Sequence, residues 1–175
     1  MLGYLYIKLF HVSGIDTLKP VRITKQQRIR QVENETPVAF LATLTNHTHH
    51  LGAHQNIAFD NIITNLGDAY NSHMGGFIAP FSGVYVLSTT LLSYPGSDAV
   101  FAVLHNGNVV TNIYHVINSD DRQSSSVTVV LQLSKGDDVS VANKDNDKSV
   151  NGYHYSSFSG FLLQEIYDDT SVVGK

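Results

Sequence analysis

The most constraining feature of this chain is a stretch of aromatic residues and tight turns between Phe59 and Leu87. Turn-forming sequences, among them Gly75-Gly76 and Pro80-Phe81-Ser82-Gly83, separate the aromatic positions. Short runs that are anchored by aromatic side chains and bounded by such turns are typical of β-strands. Because each aromatic ring can bury a large apolar area, we interpret these residues as the core of a small β-domain.

The rest of the chain repeats this pattern. Between Val84 and Thr89, side chains alternate with a period of two, as in a strand with one buried face. Asn106-Gly107 lies between two apolar runs and predicts a β-hairpin with a type I′ turn. Residues 38–44 and 124–133 are further predicted strands, and no helical period persists over ten residues. The pattern therefore favours an all-β sandwich or a closed jelly roll.

One spacing carries a resemblance to a known family. It consists of Phe59, Asn65, Tyr70, Phe77, Gly83, Tyr85 and Leu87. This spacing resembles the signature of the globular C1q domain family, and residues 133–139 and 158–163 are similar to the late turn and the last strand of that family. The family usually has an aromatic residue at the position of Thr89. The resemblance implies a ten-stranded jelly-roll β-sandwich, shared with tumour necrosis factor-like ligands, that assembles as a homotrimer.

Charge and composition divide the chain into a lead segment, 1–36, and a globular C1q-like domain, 37–175. Residues 1–31 carry a net charge of +5, whereas residues 32–175 carry −9. The acidic domain argues against nucleic acid as a partner, because phosphate contacts need a basic face. No apolar run approaches the roughly 20 residues that span a bilayer, so we expect no membrane span. Without Gly-x-Pro triplets we expect no collagen stalk, as in stalkless invertebrate-type members of the family.

Catalytic chemistry has no support in the sequence. Cysteine is absent, which excludes a thiol nucleophile, a disulfide framework and a cysteine zinc site. No serine lies in a nucleophile-elbow context. We therefore predict that the protein is not an enzyme.

A histidine cluster and an acidic loop are the candidate metal ligands. His47, His49 and His50 lie in a polar segment, 46–56, that we predict to be a loop. Imidazoles on one face can bind zinc or copper, but we expect no carboxylate near the cluster, because the first acidic residue after it is Asp60. Acidic pairs lie in predicted turns at Asp120-Asp121, Asp137-Asp138 and Asp145/Asp147. Of these, Asp145 and Asp147 are the better candidates for calcium, the one cofactor that we consider. For both groups, a solvated polar loop is the alternative interpretation.

Tyr153, His154 and Tyr155, which directly precede the last predicted strand, are the candidate ligand-binding residues. Aromatic rings beside polar groups suit sugar binding, whereas burial of the tyrosines in the core is the alternative. Asn34-Glu35-Thr36 and Asn46-His47-Thr48 are N-glycosylation sequons, which matter only in a secreted chain.

The resemblance implies a secreted, homotrimeric recognition protein. Its expected ligands are carbohydrates or microbial surface polysaccharides, as for the lectin-like proteins of invertebrate innate immunity. A trimeric ligand for a signalling or adhesion receptor remains open, and so does a metal-binding protein that depends on the histidines and aspartates. The sequence alone does not separate these hypotheses.

Overall fold

The computed structural model describes residues 37–95, 98–115 and 122–166, and these ranges contain twelve β-strands and no helix. The strands are β1 (Ala39–Thr43), β2 (Thr48–Leu51), β3 (Asn61–Leu66), β4 (Tyr70–Asn71), β5 (Gly76–Ile78), β6 (Gly83–Leu92), β7 (Ala99–His105), β8 (Asn108–His115), β9 (Ser124–Leu133), β10 (Asp138–Asn143), β11 (Lys148–Val150) and β12 (Ser157–Glu165). The predicted all-β class is confirmed.

Ten of these strands form two five-stranded antiparallel sheets. Sheet I has the order β3-β1-β12-β6-β9, and sheet II has the order β4-β5-β10-β7-β8. The many non-consecutive neighbours are crossovers of the kind found in jelly rolls. A single cluster of buried apolar side chains lies between the two sheets. The predicted ten-stranded jelly-roll sandwich is thus confirmed.

A third, two-stranded sheet corrects the prediction for the histidine-rich segment. Within residues 46–56, which we predicted to be a loop, Thr48–Leu51 forms β2 and pairs with β11. The segment has little apolar alternation, because only Leu51 is buried. Its strand conformation therefore comes from pairing with a distant part of the chain rather than from its own sequence pattern.

The aromatic signature residues lie in the core, as predicted. Phe59, Tyr70, Phe77, Tyr85 and Leu87 are all buried. The ring of Phe40, in β1, joins them and connects the two sheets. Its centroid lies 5.0 Å from that of Tyr70 and 5.3 Å from that of Phe77. Such ring pairs stabilise a core by about 0.5–1.5 kcal/mol each beyond the area that they bury.

Two signature residues act through the backbone. The side-chain amide of Asn65 donates to the carbonyl oxygen of Tyr70 and accepts from its N–H, both at 3.0 Å, which closes the turn between β3 and β4. Gly83 packs against β12 so closely that a Cβ there would lie 2.5 Å from the carbonyl oxygen of Gln164. Thr89, where the family has an aromatic residue, is buried and donates its hydroxyl to the Ser157 carbonyl at 2.9 Å.

The Asn106-Gly107 turn between β7 and β8 is also confirmed. Both residues have positive φ angles, 49° and 74°, as a type I′ turn requires. Asp137, in one of the predicted acidic turns, supports this hairpin from the neighbouring turn. Its carboxylate accepts hydrogen bonds from the side chain of Asn106, the backbone of Ser134 and the ring of His105, and these lower the pKa of Asp137 to about 2.

The outward face of sheet I has two chemically different ends. One row across the five strands is apolar and consists of Leu66, Ala39, Phe161, Val86 and Val130; we call it the apolar end. The rows on one side of it are chiefly hydroxyl-bearing and include Ser159, Ser88, Thr128, Ser157, Thr90 and Ser126; we call these the hydroxyl end. On its other side, Val84 lies between Gln132 and Gln164. Side-chain alternation buries one face of each strand. The opposite, outward face is thus divided into an apolar part and a hydroxyl-bearing part.

Several predictions fall outside the described residues. The lead segment, 1–36, lies there with the sequon at Asn34, and so does the acidic pair Asp120-Asp121. The division of the chain into a lead segment, 1–36, and a globular domain, 37–175, stays a prediction. Within the described ranges, nothing forms an apolar helix of the length that crossing a membrane requires.

Candidate functional site

The two sequence segments with the most chemistry meet at one place on the surface. Pairing of β2 with β11 puts Leu51 opposite Lys148 and Thr48 opposite Val150. The histidine cluster therefore lies beside the segment that carries Asp147 and continues to Tyr153. These segments are about a hundred residues apart in the chain, so their proximity is a product of the fold.

The loop between β11 and β12 is clamped onto the end of β1. The N–H groups of Tyr153 and His154 donate to the carbonyl oxygens of Thr45 and Leu44, at 3.0 and 2.9 Å. Gly152 packs directly on the backbone of Asn46, where a Cβ would lie 2.1 Å from the carbonyl carbon. The loop is consequently held in one position by its backbone contacts.

The clamp holds two bulky residues in an unfavourable backbone conformation. Tyr153 and His154 have φ angles of 53° and 63°, in the left-handed region that side chains other than glycine rarely adopt. Each such residue costs on the order of 1 kcal/mol or more, and such strain tends to concentrate at functional sites. Here the strained conformation turns the ring of Tyr153 outward, where 61% of the residue is exposed.

Five rings form an aromatic surface, consisting of the half-buried His47 and Tyr94 and the exposed His49, Tyr153 and Tyr155; we call it the His–Tyr surface. The ring of His47 stands edge-on to Tyr153 and to Tyr94, with centroid distances of 4.7 and 5.2 Å. His49 stands edge-on to Tyr94 at 4.8 Å. Tyr155 is 63% exposed, so the alternative in which the two loop tyrosines are buried is wrong.

A cleft of about 360 Å³ opens beside this surface. It is lined by His47, Leu92, Arg122, Asn151, Tyr153 and Tyr155. Its volume lies within the ~300–1,000 Å³ typical of small-molecule sites. None of these lining residues is acidic, and within the described residues no carboxylate pairs with Arg122. The described part of the cleft therefore presents aromatic faces together with one guanidinium group.

The hydrogen bond from the loop sets the tautomer of His47. The N–H of Gly152 donates to Nδ1 of His47 at 3.1 Å, so Nδ1 carries the lone pair. In the neutral ring, the proton is then on Nε2. His47 consequently offers an N–H donor, whereas binding a metal through Nε2 would place a proton on Nδ1 against the Gly152 N–H.

His50 is arranged in the opposite way. Its Nδ1 lies 2.6 Å from a carboxylate oxygen of Asp147, and the two side chains are 85% and 68% exposed. The statement that no carboxylate lies near the histidine cluster is therefore wrong. Asp60 is the nearest following acid in sequence, but β2–β11 pairing brings in Asp147. A carboxylate that orients Nδ1–H leaves Nε2 of His50 free, as in many histidine metal ligands.

The other predicted site residues have separate contacts. Asp145 accepts the N–H of Val100 at 3.0 Å, at the start of β7 rather than beside His50. His154 contacts the hydroxyl of Thr43 through Nδ1 at 2.9 Å, at the end of β1. Among the described residues, no group of three or more histidine, aspartate or glutamate side chains is positioned to hold a metal ion. The metal and ligand-binding assignments stay predictions.

Sequence reasoning missed Tyr94, Leu92, Asn151 and Arg122. Leu92 and Tyr94 follow from the end of β6, where nothing local distinguishes them. Arg122 did carry a signal, because it is the only lysine or arginine between Arg30 and Lys135. A single cation in a long acidic stretch deserves a place among candidate binding residues.

Comparison with known proteins agrees with this fold. The model of the C1q domain matches residues 39–163. The chain belongs to the C1q domain family. It is 34% identical over 137 residues to complement C1q tumor necrosis factor-related protein 3 of Mus musculus, an alignment that covers 77% of this chain and 54% of the relative. The chain thus spans about half the length of that relative.

Two further comparisons concern function and fold. The chain is 32% identical over 128 residues to heavy metal-binding protein HIP of Mytilus edulis, covering 72% of this chain and 60% of the relative. Among solved structures, it is similar to the globular domain of zebrafish complement 1qA protein, with a TM-score of 0.59 and 21% identity over 74% of this chain and 99% of that chain. The second similarity supports the fold alone.

Proposed function

We propose that this C1q domain belongs to a secreted, trimeric recognition protein that binds carbohydrates on microbial surfaces, without catalysis, through the cleft at the His–Tyr surface. The observation that carries the proposal is the clamped loop, which exposes Tyr153 and Tyr155 in the cleft that Arg122 also lines. A loop that is already held in place loses little conformational entropy on binding a ligand.

The chemistry of the cleft suits a sugar. Tyrosine rings offer flat apolar faces to the C–H groups of a pyranose. Arg122 and the Nε2–H of His47 offer donors to its hydroxyl or carboxylate oxygens. Sugars combine these two kinds of surface in one small molecule.

The apolar end of sheet I supports trimer formation. Phe161, Leu66 and Val130 are 46%, 47% and 62% exposed in the single chain. They lie on one sheet face, and a contiguous exposed apolar patch commonly marks a protein interface. We expect two further copies of this chain, related by a three-fold axis, to cover this apolar patch. Three weak sugar sites on one trimer then gain avidity without any new contact.

A glycan array tests the proposal. The purified protein, with its trimeric mass checked by light scattering, is applied with calcium and again with EDTA. Binding in both conditions is expected, because none of the described residues that line the cleft is a carboxylate that could hold calcium. Tyr153→Ala is expected to weaken binding by about tenfold or more, as truncation of a central aromatic residue does.

Tyr114→Ala is the matched control, because Tyr114 is a tyrosine of sheet II that is also 56% exposed. It should leave the array pattern unchanged. Equal loss from both variants, or a blank array from an intact trimer, would contradict carbohydrate recognition at this cleft. A blank array would instead favour a protein receptor as the partner.

A second candidate function is metal binding. The similarity to heavy metal-binding protein HIP and the His50–Asp147 contact of 2.6 Å favour it. Calorimetry with zinc, copper and calcium tests this function. If His47, His49 and His50 are replaced by alanine and the binding heat is unchanged, the histidine cluster is not the site. Absence of heat at micromolar metal removes the hypothesis.

A further inference from the structure

We propose that Asn46 is an N-glycosylation site and that its glycan controls access to the cleft. Asn46-His47-Thr48 is an acceptor sequence. The regulatory half of this inference rests on the proposed function, because it concerns the same cleft. The modification itself requires only that the chain enters the secretory pathway.

The chemistry of the modification is a group transfer. The side-chain Nδ2 of Asn46 forms a bond to the anomeric carbon of an oligosaccharide carried on a lipid diphosphate. The bond between that carbon and the diphosphate oxygen breaks, and the lipid diphosphate leaves with the electron pair. The amide gives up one proton, and no oxidation or reduction occurs.

The folded structure accommodates a glycan at Asn46. The residue lies in a bend between β1 and β2 and is exposed. Within the described residues, its side-chain amide takes part in no hydrogen bond, so attachment of a sugar breaks no hydrogen bond among them. The backbone of Asn46, however, packs closely against Gly152. The amide is therefore free while the position of its attachment point is restricted.

The location of Asn46 connects the modification to the cleft. Asn46 and His47 line a cavity of about 300 Å³, and His47 also lines the neighbouring cleft of about 360 Å³. The two cavities thus share His47 as a wall. A glycan attached to Asn46 is therefore one residue away from His47, whose ring offers an N–H donor to the cleft.

A tethered sugar beside a sugar-binding cleft competes with free ligands. Tethering through a short flexible connection gives an effective concentration of about millimolar. A single weak site is then occupied or shielded by the glycan of its own chain. Occupancy of Asn46 would consequently set the fraction of clefts that are open to external sugars.

The experiment compares two substitutions at Thr48 in protein secreted from eukaryotic cells. Thr48→Ala destroys the sequon, whereas Thr48→Ser preserves it with a nearly identical side chain. Both are made on an Asn34→Gln background. This change removes the other sequon, so that Asn46 is the remaining acceptor. Peptide mass spectrometry measures occupancy, and a further sample is deglycosylated enzymatically.

A second readout does not depend on sugar binding. Diethyl pyrocarbonate modifies exposed imidazoles, and its rate at His47 reports whether the glycan covers the cleft. His73, an exposed histidine in the turn between β4 and β5, is the internal control. We expect slower modification of His47 in the Thr48→Ser protein than in Thr48→Ala, with the same rate at His73. We also expect about tenfold stronger binding to array glycans by Thr48→Ala.

Each outcome decides the proposal. An unmodified Asn46 in the Thr48→Ser protein overturns it. A modified Asn46 with equal His47 rates and equal sugar binding in the two variants overturns the control of access. If Asn46 is modified and His47 is shielded but neither form binds any glycan, the modification and its coverage of the cleft stand. In that case it is the proposed carbohydrate recognition that fails.

Discussion

The apolar end and the hydroxyl end of sheet I are built on the same strands, yet their side chains suit different tasks. At the apolar end, Phe161, Val86 and Val130 lie side by side without polar partners. At the hydroxyl end, the Thr90 and Ser126 hydroxyls are 2.8 Å apart, and Thr128 donates to Ser88 at 3.0 Å. The difference shows that one sheet face can combine an association surface with a polar margin.

The hydroxyl end also adjoins the cleft. Thr43 lies in the same row as Ser157, and its hydroxyl is 2.9 Å from Nδ1 of His154. Leu92, at the end of β6, lines the cleft itself. Association through the apolar end therefore leaves the His–Tyr surface at the other end of the same sheet. If the two ends are independent, a substitution in the cleft should leave the trimer intact, and loss of the trimer should reduce avidity while each cleft stays folded.

The largest effect is expected at the apolar end. Phe161→Asp places a charge in the centre of the proposed trimer interface, where desolvation without a partner is costly. We expect the trimer to dissociate to monomers, as measured by light scattering over a concentration series. Val109→Asp, on sheet II at a residue that is 49% exposed, is the control and should remain trimeric. Trimeric Phe161→Asp would show that the interface lies elsewhere.

The next largest effect is expected at the loop that carries the cleft. Gly152→Ala introduces a Cβ that would lie 2.1 Å from the Asn46 backbone, so the loop must shift. We expect a loss of about 1–3 kcal/mol in the free energy of unfolding, typical of overpacking, and a loss of glycan binding. Urea denaturation and the array measure these. Gly107→Ala is a poor control because of its positive φ, so Gly52→Ala, with its nearest neighbour at 3.4 Å, serves instead.

A smaller effect, on the stability of the whole domain, is expected from His115 in β8. This imidazole is fully buried among the described residues with neither nitrogen hydrogen-bonded, and burial lowers its pKa below the usual 6.5. The folded state thus favours the neutral ring, and stability should fall as pH drops below about 6.5. We expect His115→Phe to reduce this loss between pH 7 and 5 in urea titrations. An unchanged pH dependence would assign it to other groups.

The smallest effect is expected at Asp137, which lies far from both ends. Its pKa is lowered to about 2 by Asn106, Ser134 and His105, against an ordinary value of 3.8. The stabilisation is therefore complete above about pH 4 and is lost as pH falls towards 2. Asp137→Asn should reduce this acid dependence while leaving trimer mass and glycan binding at pH 7 unchanged. A change in either at pH 7 would mean that the turn is coupled to sheet I.

Much of the fold could be predicted from the sequence, because its signals are local. The alternation along β6, the Asn106-Gly107 turn and the buried aromatic positions each depend on a few neighbouring residues. The spacing from Phe59 to Leu87 was sufficient to identify the family. The site was predicted only in pieces, as a histidine cluster, an acidic loop and a tyrosine pair.

Only the tertiary structure joined those pieces. β2 forms because β11, about a hundred residues later, supplies its hydrogen-bonding partner. That pairing places Gly152 on Nδ1 of His47 and Asp147 on His50, whereas the pairing of β9 with β6 brings Arg122 to the cleft that Tyr153 also lines. The sequence by itself determined the main strands of the two five-stranded sheets and the residues that fill the core, because side-chain alternation and turn chemistry act over a few residues. The tautomer of His47, the exposure of Tyr153 and the shape of the cleft were decided by contacts between distant segments, which no local pattern encodes.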